Sequence, residues 1–104
     1  MAQIDGAITD SAIIPASGIF IIRPETIGEE WTIHNIYVPF GGKAQLYRSD
    51  DVSGVDLGIF IEPIPVSKTG QFNYHCTNDE FLIIRNNGTD AIKVGFDGVV
   101  SGVS

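Results

Sequence analysis

The chain of 104 residues has the size of one ordinary domain, and a hydrophobic share of 43% excludes a disordered polymer. Thirteen acidic residues against six basic ones give a net charge of −7, so we expect no direct contact with nucleic acid, which needs a clustered positive field. No apolar stretch approaches the roughly 18 residues needed to span a bilayer, and residues 1–6 do not resemble a signal peptide. We therefore expect a soluble domain of a reducing compartment with no membrane partner.

The first 22 residues are rich in isoleucine but are interrupted by Gly6, Pro15 and Gly18. Because this spacing fits neither a clean strand nor a helix, we expect residues 1–22 to form an arm or an edge strand, and residues 23–104 to form one β-sandwich domain. An edge strand of the same sandwich and an arm that crosses to another subunit are both open at this point. The candidate interaction residues of such an arm are its isoleucines, Ile4, Ile8, Ile13 and Ile14.

Burying one isoleucine side chain stabilises a protein by about 1.5–3 kcal/mol. A sandwich of this size has little spare core to absorb four of them, whereas a subunit interface has room. The sequence therefore predicts that the arm packs against a neighbouring subunit or a capsid and adds strand-type hydrogen bonds to an open sheet edge.

From residue 31 onward the chain alternates with period two, which predicts strands. In residues 31–38 the pattern places Trp31 and Ile33 on one face and Ile36 on the other. Turn-forming residues separate the strands, and the Asn87-Gly88 pair predicts a β-hairpin with a type I′ turn. About eight strands at spacings of about 8–12 residues indicate an all-β fold, an antiparallel β-sandwich of jelly-roll type.

No group of residues predicts catalysis. Cys76 is the single cysteine and shares a strand face with aromatic residues, so it predicts a core position and excludes an intrachain disulfide. His75 precedes it, but consecutive strand residues point to opposite faces and form no thiolate–imidazole pair. His34 and His75 lack a third metal ligand, so a small cupin-like metalloenzyme is the least favoured class. We expect no enzymatic activity, no metal and no cofactor.

Acidic pairs in the loops raise the question of calcium, which takes six to eight oxygen ligands. The loop of residues 49–56 offers Asp50, Asp51 and Asp56 but has no twelve-residue register with a glycine. Solvated loop charge is the commoner explanation of such residues.

An ordered series of strand and turn patterns is more specific than the composition. Its segments are residues 28–38 (GEEWTIHNIYV), 45–48 (QLYR), 75–86 (HCTNDEFLIIRN) and 94–98 (VGFDG). Over about Pro24–Val100 the series resembles small jelly-roll virion proteins of tailed bacteriophages, of the head-decoration or cement kind. The resemblance implies a homo-oligomer, with a trimer favoured, on the outer capsid surface of the virion, made in the host cytoplasm, with the major capsid protein as partner. It carries no catalytic residues.

The sequence thus predicts a non-enzymatic virion structural protein that decorates and stabilises the capsid. The alternative is a carbohydrate- or receptor-binding β-sandwich of a phage fibre or spike. That alternative predicts exposed aromatic rings lying together near polar loops, and its candidates are Tyr37, Tyr47, Phe60 and Tyr74.

Overall fold

The computed structural model describes residues 7–103 except residues 25, 40, 42, 52, 54, 65 and 70–73. Within this part the chain is all-β and contains no helix. The strands are β1 (Ala7–Ile14), β2 (Ile19–Ile22), β3 (Glu29–Tyr37), β4 (Ala44–Ser49), β5 (Ile59–Ile64), β6 (Tyr74–Cys76), β7 (Phe81–Asn86) and β8 (Ile92–Val103).

The strands form two four-stranded sheets. Sheet A has the order β1-β8-β3-β6, and sheet B has the order β2-β7-β4-β5. All pairs are antiparallel, and the pairs β1–β8, β2–β7, β3–β6 and β4–β5 are nested inside one another. Nesting of this kind arises when one long hairpin of strands is rolled into two sheets, which is the jelly roll. The predicted antiparallel sandwich of eight strands is confirmed.

The core lies between the two sheets. The Phe20 ring of sheet B approaches the Phe96 ring of sheet A, with ring centroids 6.0 Å apart. In register with Phe20, Ile84 and Leu46 continue the inner face of sheet B, and both are fully buried. Strand alternation therefore assigns an inner and an outer face to the positions of β2, β7 and β4. In β5 a bulge at Ile61 interrupts the alternation, so the faces there follow from the pairing with β4.

The N-terminal residues supply an edge strand to each sheet. β1 pairs with β8 of the same chain along its whole length, from Ala7↔Val99 to Ile14↔Ile92, and β2 pairs with β7. Between them Ser17 adopts a positive φ of 63°. Because this turn moves the chain from one sheet to the other, no single period runs through residues 7–22.

The candidate interaction residues of the arm occupy different environments. Ile14 is 1% exposed and belongs to the core of its own chain, which differs from the interface position expected from the sequence. Ile8 is half-buried and packs against the core, whereas Ile13 is 71% exposed. Ile4 lies outside the described residues. Ile13 and part of Ile8 thus offer apolar surface to a partner.

A β-bulge interrupts the alternation of β3. Ile33 pairs with Gly98 and Asn35 pairs with Asp97, so His34 is an extra residue between two neighbouring pairs. The bulge shifts the inward face by one residue. Ile33 before it and Ile36 after it are therefore both fully buried.

The predicted hairpin at Asn87-Gly88 is wrong. β7 lies in sheet B and β8 lies in sheet A, so the turn connects two sheets rather than two paired strands. Among the described residues the positive φ angles belong to Ser17, Gly28, Gly41 and Gly58, so the Asn87-Gly88 pair does not form a type I′ turn. Instead, the N–H of Gly88 donates to Oδ1 of Asn86 over 3.0 Å.

Candidate binding surfaces

The outer face of sheet B carries an apolar row. Ile21, Ile83, Tyr47 and Phe60 lie next to one another in register and cross all four strands from β2 to β5. The outer face of an antiparallel sheet is ordinarily polar. This row, named here the sheet B row, is therefore a departure from the expected pattern.

The residues of the sheet B row differ in exposure, and two of their rings pack together. Ile83 is fully buried although it lies on the outer face, between the half-buried Ile21 and Tyr47. The rings of Tyr47 and Phe60 meet edge to face with centroids 5.4 Å apart, and Phe60 remains 49% exposed. The row thus ends in an exposed ring that a neighbouring ring holds in position.

The charges beside the sheet B row are positive. Arg85 follows Ile83 by two residues and shares its face, and the Arg23 guanidinium lies 5.6 Å from the centre of the Phe81 ring. Phe81 pairs with Ser49 on the same face. None of the described strand positions on this face is acidic, although the chain carries 13 acidic residues.

The outer face of sheet A is polar and contains a hydrogen-bonded group. Asn35 and Asp97 pair across β3 and β8. Nδ2 of Asn35 donates to Oδ1 of Asp97 over 2.5 Å, and the hydroxyl of Tyr37 donates to Oδ2 over 2.5 Å. Both carboxylate oxygens are thus engaged, and the bond to Asp97 raises the pKa of Tyr37.

A shallow hollow of about 360 Å³ lies beside this group. Gly95 stands in register between Ser11 of β1 and Tyr37 of β3, and Lys93 lies two residues before it on the same face. Because Gly95 has no side chain, the space between its neighbours stays open. A Cβ there would lie 3.0 Å from the carbonyl oxygen of Asp10.

The aromatic residues of the carbohydrate-binding alternative lie in separate places. Tyr47 and Phe60 belong to sheet B, whereas Tyr37 and Tyr74 belong to sheet A. Tyr37 is 40% exposed, and Tyr74 is half-buried. Burial raises the pKa of Tyr74, while the nearby Arg48 opposes that effect. A single platform of these four rings therefore does not form.

Cys76 is a core residue, as predicted. Its side chain is fully buried, and this burial raises the pKa of the thiol to about 12. The preceding His75 is exposed, and its Nε2 lies 3.0 Å from Oε1 of Glu30. In the part of the chain that the structure describes, no group of three or more His, Cys, Asp or Glu side chains is placed to hold a metal ion.

The acidic loop after β4 uses its carboxylates to fold. Asp51 accepts hydrogen bonds from the backbone N–H and the hydroxyl of Ser53 and from the N–H of Asp56, over 2.7–2.9 Å. These bonds lower the pKa of Asp51, the hydroxyl of Ser53 having the largest effect. Asp56 in turn accepts from the N–H of Gly58 over 2.9 Å. The carboxylates of Asp51 and Asp56 thus replace backbone partners that a loop lacks.

The sheet B row and the Asn35–Asp97 group differ in how far the sequence predicts them. Four successive apolar residues in β7, Phe81–Ile84, are a signal that both faces of this strand are covered. The pairing of Asn35 with Asp97 depends on the bulge at His34, and strand alternation alone does not reveal it.

Comparisons identify no family for this chain: no protein-family model and no curated protein matches it. None of the described residues belongs to a helix long and apolar enough to cross a membrane.

Proposed function

We propose that this chain is a non-enzymatic structural protein of a tailed-phage virion that binds the outer surface of the capsid and reinforces it. The partner is the major capsid protein, and the chain acts as a homo-oligomer, with a trimer favoured. The observation that carries the proposal is the sheet B row, which crosses a whole sheet of a jelly roll on its outer side. The resemblance of residues 24–100 to phage decoration proteins supports the same assignment.

The accessible part of the sheet B row, Phe60 with the half-buried Tyr47 and Ile21, is the proposed contact with the capsid, whereas Ile83 is buried within the chain. Apolar surface removed from water stabilises a complex by about 25 cal/mol per Å² before the costs of association. Aromatic residues and arginine are enriched at the centres of interfaces, and the row has Tyr47 and Phe60 with Arg23 and Arg85 beside it. The matching partner surface is an apolar depression bordered by acidic side chains.

The edge of sheet A is the proposed contact between subunits. β1 is the edge strand of sheet A and pairs on one side with β8. Its outer side chain Ile13 is 71% exposed. An exposed edge strand pairs readily with another chain, so β1 is suited to join subunits while sheet B binds the capsid.

The test is co-sedimentation of the purified full chain with empty shells assembled from the major capsid protein of the same virus. We expect stoichiometric binding by the unmodified chain. Phe60→Asp places a charge at the exposed end of the sheet B row and should weaken binding by roughly tenfold or more. Val66→Asp is the matched control, because Val66 is 44% exposed and lies outside the row.

Two results would overturn the proposal. One is the absence of binding by the unmodified chain. The other is equal loss of binding in Phe60→Asp and Val66→Asp. Sedimentation equilibrium of Ile13→Asp tests the subunit contact separately, since we expect this variant to be monomeric and still folded.

A further inference from the structure

We propose that the hollow at Gly95 is a binding site for a neutral sugar residue, with Tyr37 as the stacking platform. This inference is independent of the capsid contact, because the hollow lies on sheet A and the sheet B row lies on the opposite sheet. Three features of the molecule support the site: the shape of the hollow, the fixed orientation of the ring and the charges around it.

The shape suits a small ring. In register across three strands, Ser11, Gly95 and Tyr37 give a short side chain, no side chain and an aromatic ring. The floor is therefore backbone, and one wall is flat. The volume of about 360 Å³ lies at the lower end of the range of ligand pockets, which suits a single sugar residue rather than a longer chain segment.

The ring is held in place before any ligand arrives. Tyr37 is 40% exposed, and an exposed ring ordinarily rotates freely. Here its hydroxyl is bound to Asp97, and Asn35 fixes the other oxygen of that carboxylate. A side chain fixed in its bound orientation loses less entropy on binding. The arrangement therefore fixes a ring that remains 40% exposed beside the hollow.

The chemistry around the ring favours a neutral polyol. The face of an aromatic ring is negative, and it attracts the weakly positive C–H groups on the flat side of a sugar ring. Ser11 supplies a hydroxyl, and Lys93 supplies an ammonium group that donates to sugar hydroxyls. The carboxylate of Asp97 accepts a hydrogen bond from Tyr37, which lines the hollow, so an anionic ligand such as a phosphate is disfavoured.

The test is saturation-transfer difference NMR on the full chain with methyl glycosides of glucose, galactose, mannose and N-acetylglucosamine at millimolar concentration. We expect signal from at least one glycoside. Tyr37→Ala removes the platform and should weaken binding by roughly tenfold or more. Ser11→Leu fills the hollow from the opposite wall and should act likewise while leaving the ring in place. Both positions are exposed, so we expect both variants to fold.

Phe60→Ala is the matched control, because it removes an aromatic ring of similar exposure from the other sheet. We expect this variant to bind the glycoside as the unmodified chain does. Absence of signal from all four glycosides overturns the inference. Equal binding by Tyr37→Ala overturns it as well, because the signal then arises elsewhere on the surface.

Discussion

The side-chain amide of Asn86 donates a hydrogen bond to the backbone carbonyl of Ile14 over 3.1 Å and so joins the end of β7 to the end of β1. The same amide donates to the carbonyls of Pro15 and Asp90, and its oxygen accepts from the N–H of Gly88. Asn86 is fully buried. One polar side chain therefore ties together three chain segments at one end of the sandwich.

Replacing Asn86 by alanine should destabilise the fold strongly. The substitution removes the hydrogen bonds to the carbonyls of Ile14, Pro15 and Asp90. It leaves the carbonyl of the buried Ile14 without this donor, and an unsatisfied buried group costs about 1–3 kcal/mol. We expect the free energy of unfolding to fall by at least about 2 kcal/mol, measured by urea denaturation. The exposed neighbour Asn87 provides the control, because Asn87→Ala should change stability by no more than about 0.5 kcal/mol. Equal effects of the two substitutions would contradict the role of Asn86.

Local sequence patterns predict only part of this fold. Alternation and turn residues predict eight strands and a sandwich, because strand alternation and turn formation each depend on residues close together in the sequence. Local turn chemistry does not reveal that β7 and β8 belong to different sheets, since that depends on which distant strands pair. Local patterns do not predict the sheet B row either, because Ile21, Ile83 and Tyr47 come together only through strand pairing.

A glycine in the central strand β8 sets the spacing to β3. A Cβ at Gly98 would collide with the backbone carbonyl oxygen of Thr32, which cannot move without breaking the sheet. We expect Gly98→Ala to lower the free energy of unfolding by about 1–3 kcal/mol or more. Gly102→Ala is the control on the same strand, because its Cβ would meet side-chain atoms of Glu30 rather than backbone, and the nearest of them is the carboxylate oxygen Oε2 at 2.9 Å. A melting temperature equally lowered by both substitutions would argue against this account of Gly98.

The buried thiol of Cys76 predicts a loss of stability at high pH. Its pKa is about 12 in the folded chain and 9.0 as the ordinary value. Below pH 9 both states hold the proton, so the thiol contributes no pH dependence there. Between about pH 9 and 12 only the unfolded chain releases the proton, so stability falls by at most about 1.4 kcal/mol per pH unit.

The measurement compares the unmodified chain with Cys76→Ala by urea denaturation at several pH values. We expect the decline above pH 9 to be shallower in Cys76→Ala. Tyrosines and lysines that titrate in the same range are common to both chains, so the difference isolates the thiol. At neutral pH we also expect Cys76 to react with a thiol reagent only as fast as the chain opens. Rapid modification of the folded chain would contradict the buried position.

Ile13 and Ile14 are neighbours in β1 with opposite environments. Ile14 is 1% exposed in the core and Ile13 is 71% exposed on the outer face. Ile14→Ala removes buried methyl groups and should destabilise the chain by about 2–5 kcal/mol, whereas Ile13→Ala should change stability by no more than about 0.5 kcal/mol.

Removal of residues 1–14 takes away the whole of β1 and its pairing with β8, so we expect the shortened chain to lose cooperative unfolding in a thermal melt. A shortened chain that melts like the unmodified one would show that residues 7–14 serve a partner rather than their own sheet.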